Sequence, residues 1–136
     1  MLDGTITLEA RGDASPDTVW ERYAEPARWP GWSPQIRRVE LDGRRDRLAP
    51  GLTGAVHSYG PVPVRFTVSA VDEDARTWSW TVSVGPVHLA LDHSVAPDDR
   101  VDGRGTLTTL AAHGPWPVLL AYAPLARLAL GRLVRP

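Results

Sequence analysis

The feature that most constrains this chain is a series of period-two runs, separated by short turns, that begins near residue 50. Trp78, Trp80, Val82 and Val84 alternate with Thr77, Ser79, Thr81 and Ser83. Val87, Leu89, Leu91, His93 and Val95 then alternate with His88, Ala90, Asp92 and Ser94. Successive strand residues point to opposite faces, so each run reads as a strand with one face buried. Gly85-Pro86 turns between them. Before them, Val64 to Asp72 carries Val64, Phe66, Val68 and Ala70 on one face, and Asp72 to Ala75 is a polar turn. Gly54 to Tyr59 is a further strand, closed by Gly60-Pro61-Val62-Pro63. Pro97 to Gly105 is a long polar turn, and Thr106 to His113 is the last strand. Strands at such regular spacing imply an antiparallel meander.

The flanks are different. Thr5 to Ala10 alternates as a strand. Ser15-Pro16-Asp17-Thr18 is a helix start, with a Ser N-cap, Pro at the first helical position and an acid in the first turn. Val19, Trp20 and Tyr23 form its apolar stripe. Pro26, Pro30-Gly31 and Pro34 allow only short helical turns before a strand from Gln35 to Asp42. After Gly114-Pro115 the chain is apolar to Val134 apart from Arg127 and Arg132. The unbroken apolar stretch, Trp116 to Ala126, has 11 residues. A membrane span needs about 20, so the segment reads as a helix filling a groove. Pro124 removes the bond to Leu120 and is expected to kink and shorten that helix.

Composition narrows the chemistry. The 136 residues suit one domain, 1–136. With no cysteine there are no disulfides, thiolate metal sites or cysteine nucleophiles. The 15 basic residues are all arginine, so no lysine can form a Schiff base. The net charge of -1 gives no reason to expect nucleic acid. The arginines at 37, 38, 44, 45 and 47 are interleaved with Glu40, Asp42 and Asp46 and read as a solvated face. Residues 1–4 have no basic or apolar leader pattern, so the cytoplasm is the expected location. No cofactor motif is present, and the four histidines lack metal-ligand spacing, so neither a cofactor nor a metal is expected.

Ser15-Pro16-Asp17-Thr18-Val19-Trp20, followed by Pro26-Ala27-Arg28-Trp29-Pro30-Gly31-Trp32, resembles the opening of START-like (SRPBCC) polyketide cyclase/dehydrase proteins. Phe66-Thr67-Val68, Trp78-Ser79-Trp80, Asp92-His93-Ser94-Val95 and Gly114-Pro115 extend the resemblance over nearly the whole chain. It implies an α+β helix-grip fold: a curved antiparallel sheet of about seven strands around a long C-terminal helix, with two short helices after the first strand. It implies a cavity for a small hydrophobic molecule, in a setting such as secondary metabolism. It carries over no shared catalytic triad. Three functions are weighed: binding of such a molecule, cyclase, dehydratase or aromatase chemistry in the same cavity, and a non-catalytic protein-interaction module.

The candidate site follows from strand phase. Trp78, Trp80, Leu89, Leu91 and His93 should all face the C-terminal helix. Leu119, Leu120 and Tyr122 are taken from that helix, before Pro124, as the opposite wall. His93 is the first candidate for proton transfer or for orienting a ligand, followed by Tyr122 and His113. The plainer reading, a core histidine bonded to a backbone carbonyl, is favoured. His57 and Tyr59 share one face of their strand and are kept as ligand candidates. Val56 and Ser58 hold the other face, and pattern leaves open which one is buried. With one confidently inward polar group, binding is favoured over catalysis. Oligomeric state is unreadable.

Overall fold

The computed structural model describes residues 2–101 and 104–136. Strand β1 (Asp3–Gly12) is followed by helix α1 (Pro16–Ala24), a 3-10 turn (Pro26–Arg28) and a four-residue helix α2 (Trp29–Trp32). Strands β2 (Arg38–Leu41), β3 (Thr53–His57), β4 (Val64–Asp72), β5 (Thr77–Val84), β6 (Val87–Pro97) and β7 (Thr106–Pro115) run as a meander. Helix α3 (Trp116–Leu133) closes the chain. All strand pairs are antiparallel, in the order β1-β7-β6-β5-β4-β3-β2. This is the expected α+β helix-grip fold. Within the expected Pro97 to Gly105 turn, Asp102 and Gly103 lie outside the described residues.

The phase of β5 and β6 is as the alternation predicts. Trp78 pairs with His93, Trp80 with Leu91 and Val82 with Leu89. Trp78, Leu89, Leu91, His93 and Val95 are buried, while Thr77, Thr81 and Asp92 are exposed. One expectation in β4 is overturned. The register shifts between Val68 and Ala70, so Val71, not Ala70, comes opposite Trp78. A bulge adds one residue and reverses the alternation beyond it; Ala70 is therefore exposed and Val71 half-buried. Strand β3 also ends two residues early, at His57. Tyr59 falls in the turn and is 77% exposed.

Helix α1 starts where its sequence says it should. The Ser15 Oγ accepts the Thr18 backbone N–H at 3.1 Å, and Pro16 occupies the first turn. Its far end explains the tryptophans of α2. A helix leaves its last four carbonyls without intrahelical partners. The carbonyl of Glu21 accepts the Glu25 N–H, Arg22 the Trp32 indole at 3.2 Å, Tyr23 the Trp29 indole at 2.9 Å, and Ala24 the Leu48 N–H at 2.8 Å. Trp29 and Trp32 are thus fixed by the end of α1, which turns their rings toward the sheet.

Helix α3 lies along β1. A Cβ on Gly4 would collide with the Trp116 ring, and one on Gly12 with the Val134 backbone. At Gly12 the obstruction is backbone, so only hydrogen fits there, and the Ala14 N–H reaches the Val134 carbonyl at 3.0 Å. Arg22 donates to the carbonyls of Leu133 and Arg135, closing the C-terminal end of α3. Contrary to expectation, the helix continues through Pro124 to Leu133. The reason is orientation: Pro124 and Leu120 both face outward, Leu120 being 66% exposed. The carbonyl released by the proline therefore lies on the solvent side, where water can satisfy it.

Replacing Ser15 with alanine should lower stability by about 1 kcal/mol through loss of the cap. Urea denaturation measures it, and an unchanged midpoint would show that the cap contributes nothing.

Candidate functional site

Between the concave face of the sheet and α3 lies an apolar cavity of about 230 Å³. Trp29 and Trp32 from α2 and Trp78 and Trp80 from β5 form its aromatic side. Val56, Val64, Leu91 and Leu110 continue the sheet wall, and Leu125, Ala126, Ala129 and Leu130 complete it from α3. The aromatic rings hold one another. The Trp78 and His93 rings stack with centroids 4.5 Å apart and planes within 10°, and Trp29 stacks on Trp78 at 5.7 Å. Trp80 lies 5.1 Å from both Trp29 and Trp78, and Phe66 meets Trp80 edge-on at 5.4 Å. Such contacts leave the rings little freedom to change orientation.

His93 sits at the centre of a directional relay. The Trp80 indole, which can only donate, gives its N–H to His93 Nε2 at 3.0 Å. Nε2 must therefore be the acceptor, and the ring proton is on Nδ1. Nδ1–H then donates to the Tyr23 hydroxyl at 3.0 Å. Tyr23 donates onward to Thr108 Oγ1 at 3.3 Å, and Thr108 to the Ser94 carbonyl at 2.9 Å. Each donor has one acceptor, so burial leaves His93 neutral and satisfied. Desolvation lowers its pKa to about 3, outweighing the opposing attraction of Asp92. Desolvation also pushes Tyr23 up, against the hydrogen bond to Thr108. The expectation of a core histidine is right in kind, but its partners are side chains of α1 and β5, not a backbone carbonyl.

Of the other candidates, Tyr122 lines the cavity. Burial raises its pKa to about 12, so its hydroxyl stays protonated. Leu89 and Leu119 are buried in the core without forming the cavity wall. Leu120 is a correction: it points to solvent, on the face of α3 that it shares with Pro124 and Arg127. His57 and Tyr59 are also corrected. Val56 and Ser58 occupy the cavity face of the chain here, and His57 takes the other side. His113 belongs to the outer face. Its Nε2 lies 3.0 Å from Asp92 Oδ2, and its Nδ1 lies 2.9 Å from the Thr5 hydroxyl. Asp92 also accepts from Ser79 at 2.6 Å, which with His113 holds its carboxyl below the usual range.

Sequence reasoning missed Tyr23, Gln35 and the α3 residues beyond Pro124. Tyr23 was visible only as part of a helix stripe, and Gln35 as the first residue of a strand that in fact begins at Arg38. Among the described residues, no cluster of three His, Cys, Asp or Glu side chains is placed to hold a metal. No helix there is long and apolar enough to cross a membrane.

The relay predicts the protonation behaviour of His93. Its folded pKa lies below its unfolded value of about 6.5. The unfolded chain therefore takes up a proton that the folded chain refuses, and this contribution to stability is lost as pH falls below about 6.5. Nitrogen NMR should show an Nδ1–H tautomer with no titration between about pH 5 and 8. Titration of His93 near its ordinary value would contradict the relay.

A family model described as polyketide cyclase / dehydrase and lipid transport matches residues 4–135. No curated protein sequence matches the chain. The crystal structure of Ara h 8.0201 is similar in fold, with a TM-score of 0.77 over 97% of this chain and 95% of that one, at 14% identity. At that identity the likeness shows the fold alone. Solved chains that match number 197, a breadth at which fold says little about activity. The match over residues 4–135 does fix the lineage: the chain belongs to the polyketide cyclase / dehydrase and lipid transport family.

Proposed function

We propose that this protein binds a small hydrophobic molecule between its sheet and α3, as a carrier or sensor and not as a catalyst. The observation that carries the reading is the aromatic-walled cavity of about 230 Å³ with few polar side chains in its lining. The state of His93 favours binding over cyclase, dehydratase or aromatase chemistry. A general base needs a free lone pair and a pKa near the working pH. The lone pair of His93 is engaged by Trp80, and its pKa is about 3. Tyr122, with a pKa of about 12, is a weak acid at neutral pH. The family's description spans both cyclases and lipid carriers, and this site resembles what a carrier requires. A cytoplasmic role in secondary metabolism is the setting that fits this reading.

Calorimetric titration with naphthalene tests the proposal. Saturable one-to-one binding is expected. Ala126 is buried and lines the cavity. Ala126→Phe should fill part of the space and weaken binding by about tenfold or more, since the displaced contacts are the ligand's own. Absence of saturable binding, or binding indifferent to Ala126→Phe in a folded variant, would overturn the reading.

A further inference from the structure

The outward side of α3 is apolar where a helix on the surface of a domain is expected to be polar. Eight large apolar side chains are exposed among the described residues, and four of them lie on this one helix: Trp116, Leu120, Leu125 and Leu128. Helical spacing lines up Leu120, Pro124 and Leu128 along one ridge, and all three are exposed. The opposite side is committed to the core through Leu119, Ala126, Ala129, Leu130 and Leu133. Contiguous apolar surface of this kind marks a place where something docks.

The charge around the ridge has one sign. From Thr106 to Pro136 the chain has no aspartate or glutamate. Arg127 falls on one edge of the ridge, Arg132 on the other, and Arg135 follows the helix end. All three are exposed, and among the described residues none forms an ion pair. Arg132 and Arg135 share a surface depression with Arg22 and Arg28, and no carboxylate side chain lines it. Arg22 is held by the carbonyls of Leu133 and Arg135, and Arg28 by Glu25, which leaves Arg132 and Arg135 to meet an anion from outside.

Apolar residues flanked by cations are the pattern of a helix lying in the headgroup layer of an anionic bilayer. Trp116 at the start of the helix suits that layer, which is apolar on one side and wet on the other. Pro124 points the same way. It leaves the Leu120 carbonyl without its helical partner on this very face. Hydrated headgroups can satisfy that carbonyl, whereas an apolar protein surface would bury it unpaired. A second copy of the chain would also set arginine against arginine.

We infer that α3 seats the protein on an anionic lipid surface, with Leu120, Pro124 and Leu128 at the acyl boundary and Arg127, Arg132 and Arg135 on lipid phosphates. Leu125 belongs both to this face and to the cavity lining, so the docked side is the α3 wall of the cavity. The inference stands apart from the reading of the cavity, since its test uses the chain without added ligand.

Co-sedimentation is measured with large unilamellar vesicles of phosphatidylcholine alone and of equal parts phosphatidylcholine and phosphatidylglycerol. Association with the mixed vesicles should be about tenfold or more stronger than with phosphatidylcholine, and should weaken as salt is raised. Leu120→Glu should weaken it about tenfold or more by charging the ridge that enters the layer. Leu128→Glu should do the same and carries the test if Leu120→Glu does not fold, which circular dichroism shows. Arg127→Gln combined with Arg132→Gln should remove most of the preference for the mixed vesicles. No association with mixed vesicles, equal association with both kinds, or association unchanged by Leu120→Glu and Leu128→Glu in folded chains would overturn the inference. In ultracentrifugation without lipid, the wild type and Leu120→Glu should sediment alike. A dimer that Leu120→Glu dissociates would give this face to a second copy and overturn it.

Discussion

A buried imidazole needs a partner for each ring nitrogen, and the way this protein meets that need organises the space around it. The relay from Trp80 through His93, Tyr23 and Thr108 to the Ser94 carbonyl joins β5, β6, β7 and α1. Its direction is set at one end by an indole that can only donate and at the other by a carbonyl that can only accept. Losing any member would leave a buried polar group unpaired, which costs about 1–3 kcal/mol. The relay also fixes the orientation of Trp80 and stacks Trp78 against His93, so the same interactions that satisfy the core shape the cavity wall. A histidine committed in this way holds the cavity wall in place.

The second support is the end of α1. Its last carbonyls are taken by the indoles of Trp29 and Trp32 and by the Leu48 amide. Two of the four cavity tryptophans are thereby set by helix capping and two by strand pairing. The opposite wall depends on α3, whose line is set by the close approaches at Gly4 and Gly12 and by Arg22 at its C-terminal end. The cavity is what remains between elements whose positions are settled by backbone needs elsewhere.

Much of this was legible in sequence, for reasons that differ by element. Period-two phase placed Trp78, Trp80, Leu91 and His93 correctly because β5 and β6 pair without interruption. The same logic failed at Ala70, since nothing in the local pattern marks the bulge that reverses β4. Ser15-Pro16 announced the start of α1 through capping chemistry that is local by nature. The phase of α3 is carried by one residue: Arg127, exposed and seven positions from Leu120, marks the solvent face, a signal outweighed by the apolar run before it; Leu120 faces water, while Leu125 and Ala126 line the cavity. The partners of His93 were hidden for another reason: Tyr23 is 70 residues away, and only the folded chain brings the two together.

The six tryptophans supply an internal test of the account. Trp29, Trp32, Trp78 and Trp80 line the cavity, whereas Trp20 donates to Glu73 away from it and Trp116 is exposed at the start of α3. The indole N–H signals of all six can be followed by proton–nitrogen NMR during titration with naphthalene. The account predicts saturable shifts for the four cavity indoles, with Trp20 and Trp116 unmoved. Shifts confined to Trp20 or Trp116, or no saturable shift at any of the six, would contradict it.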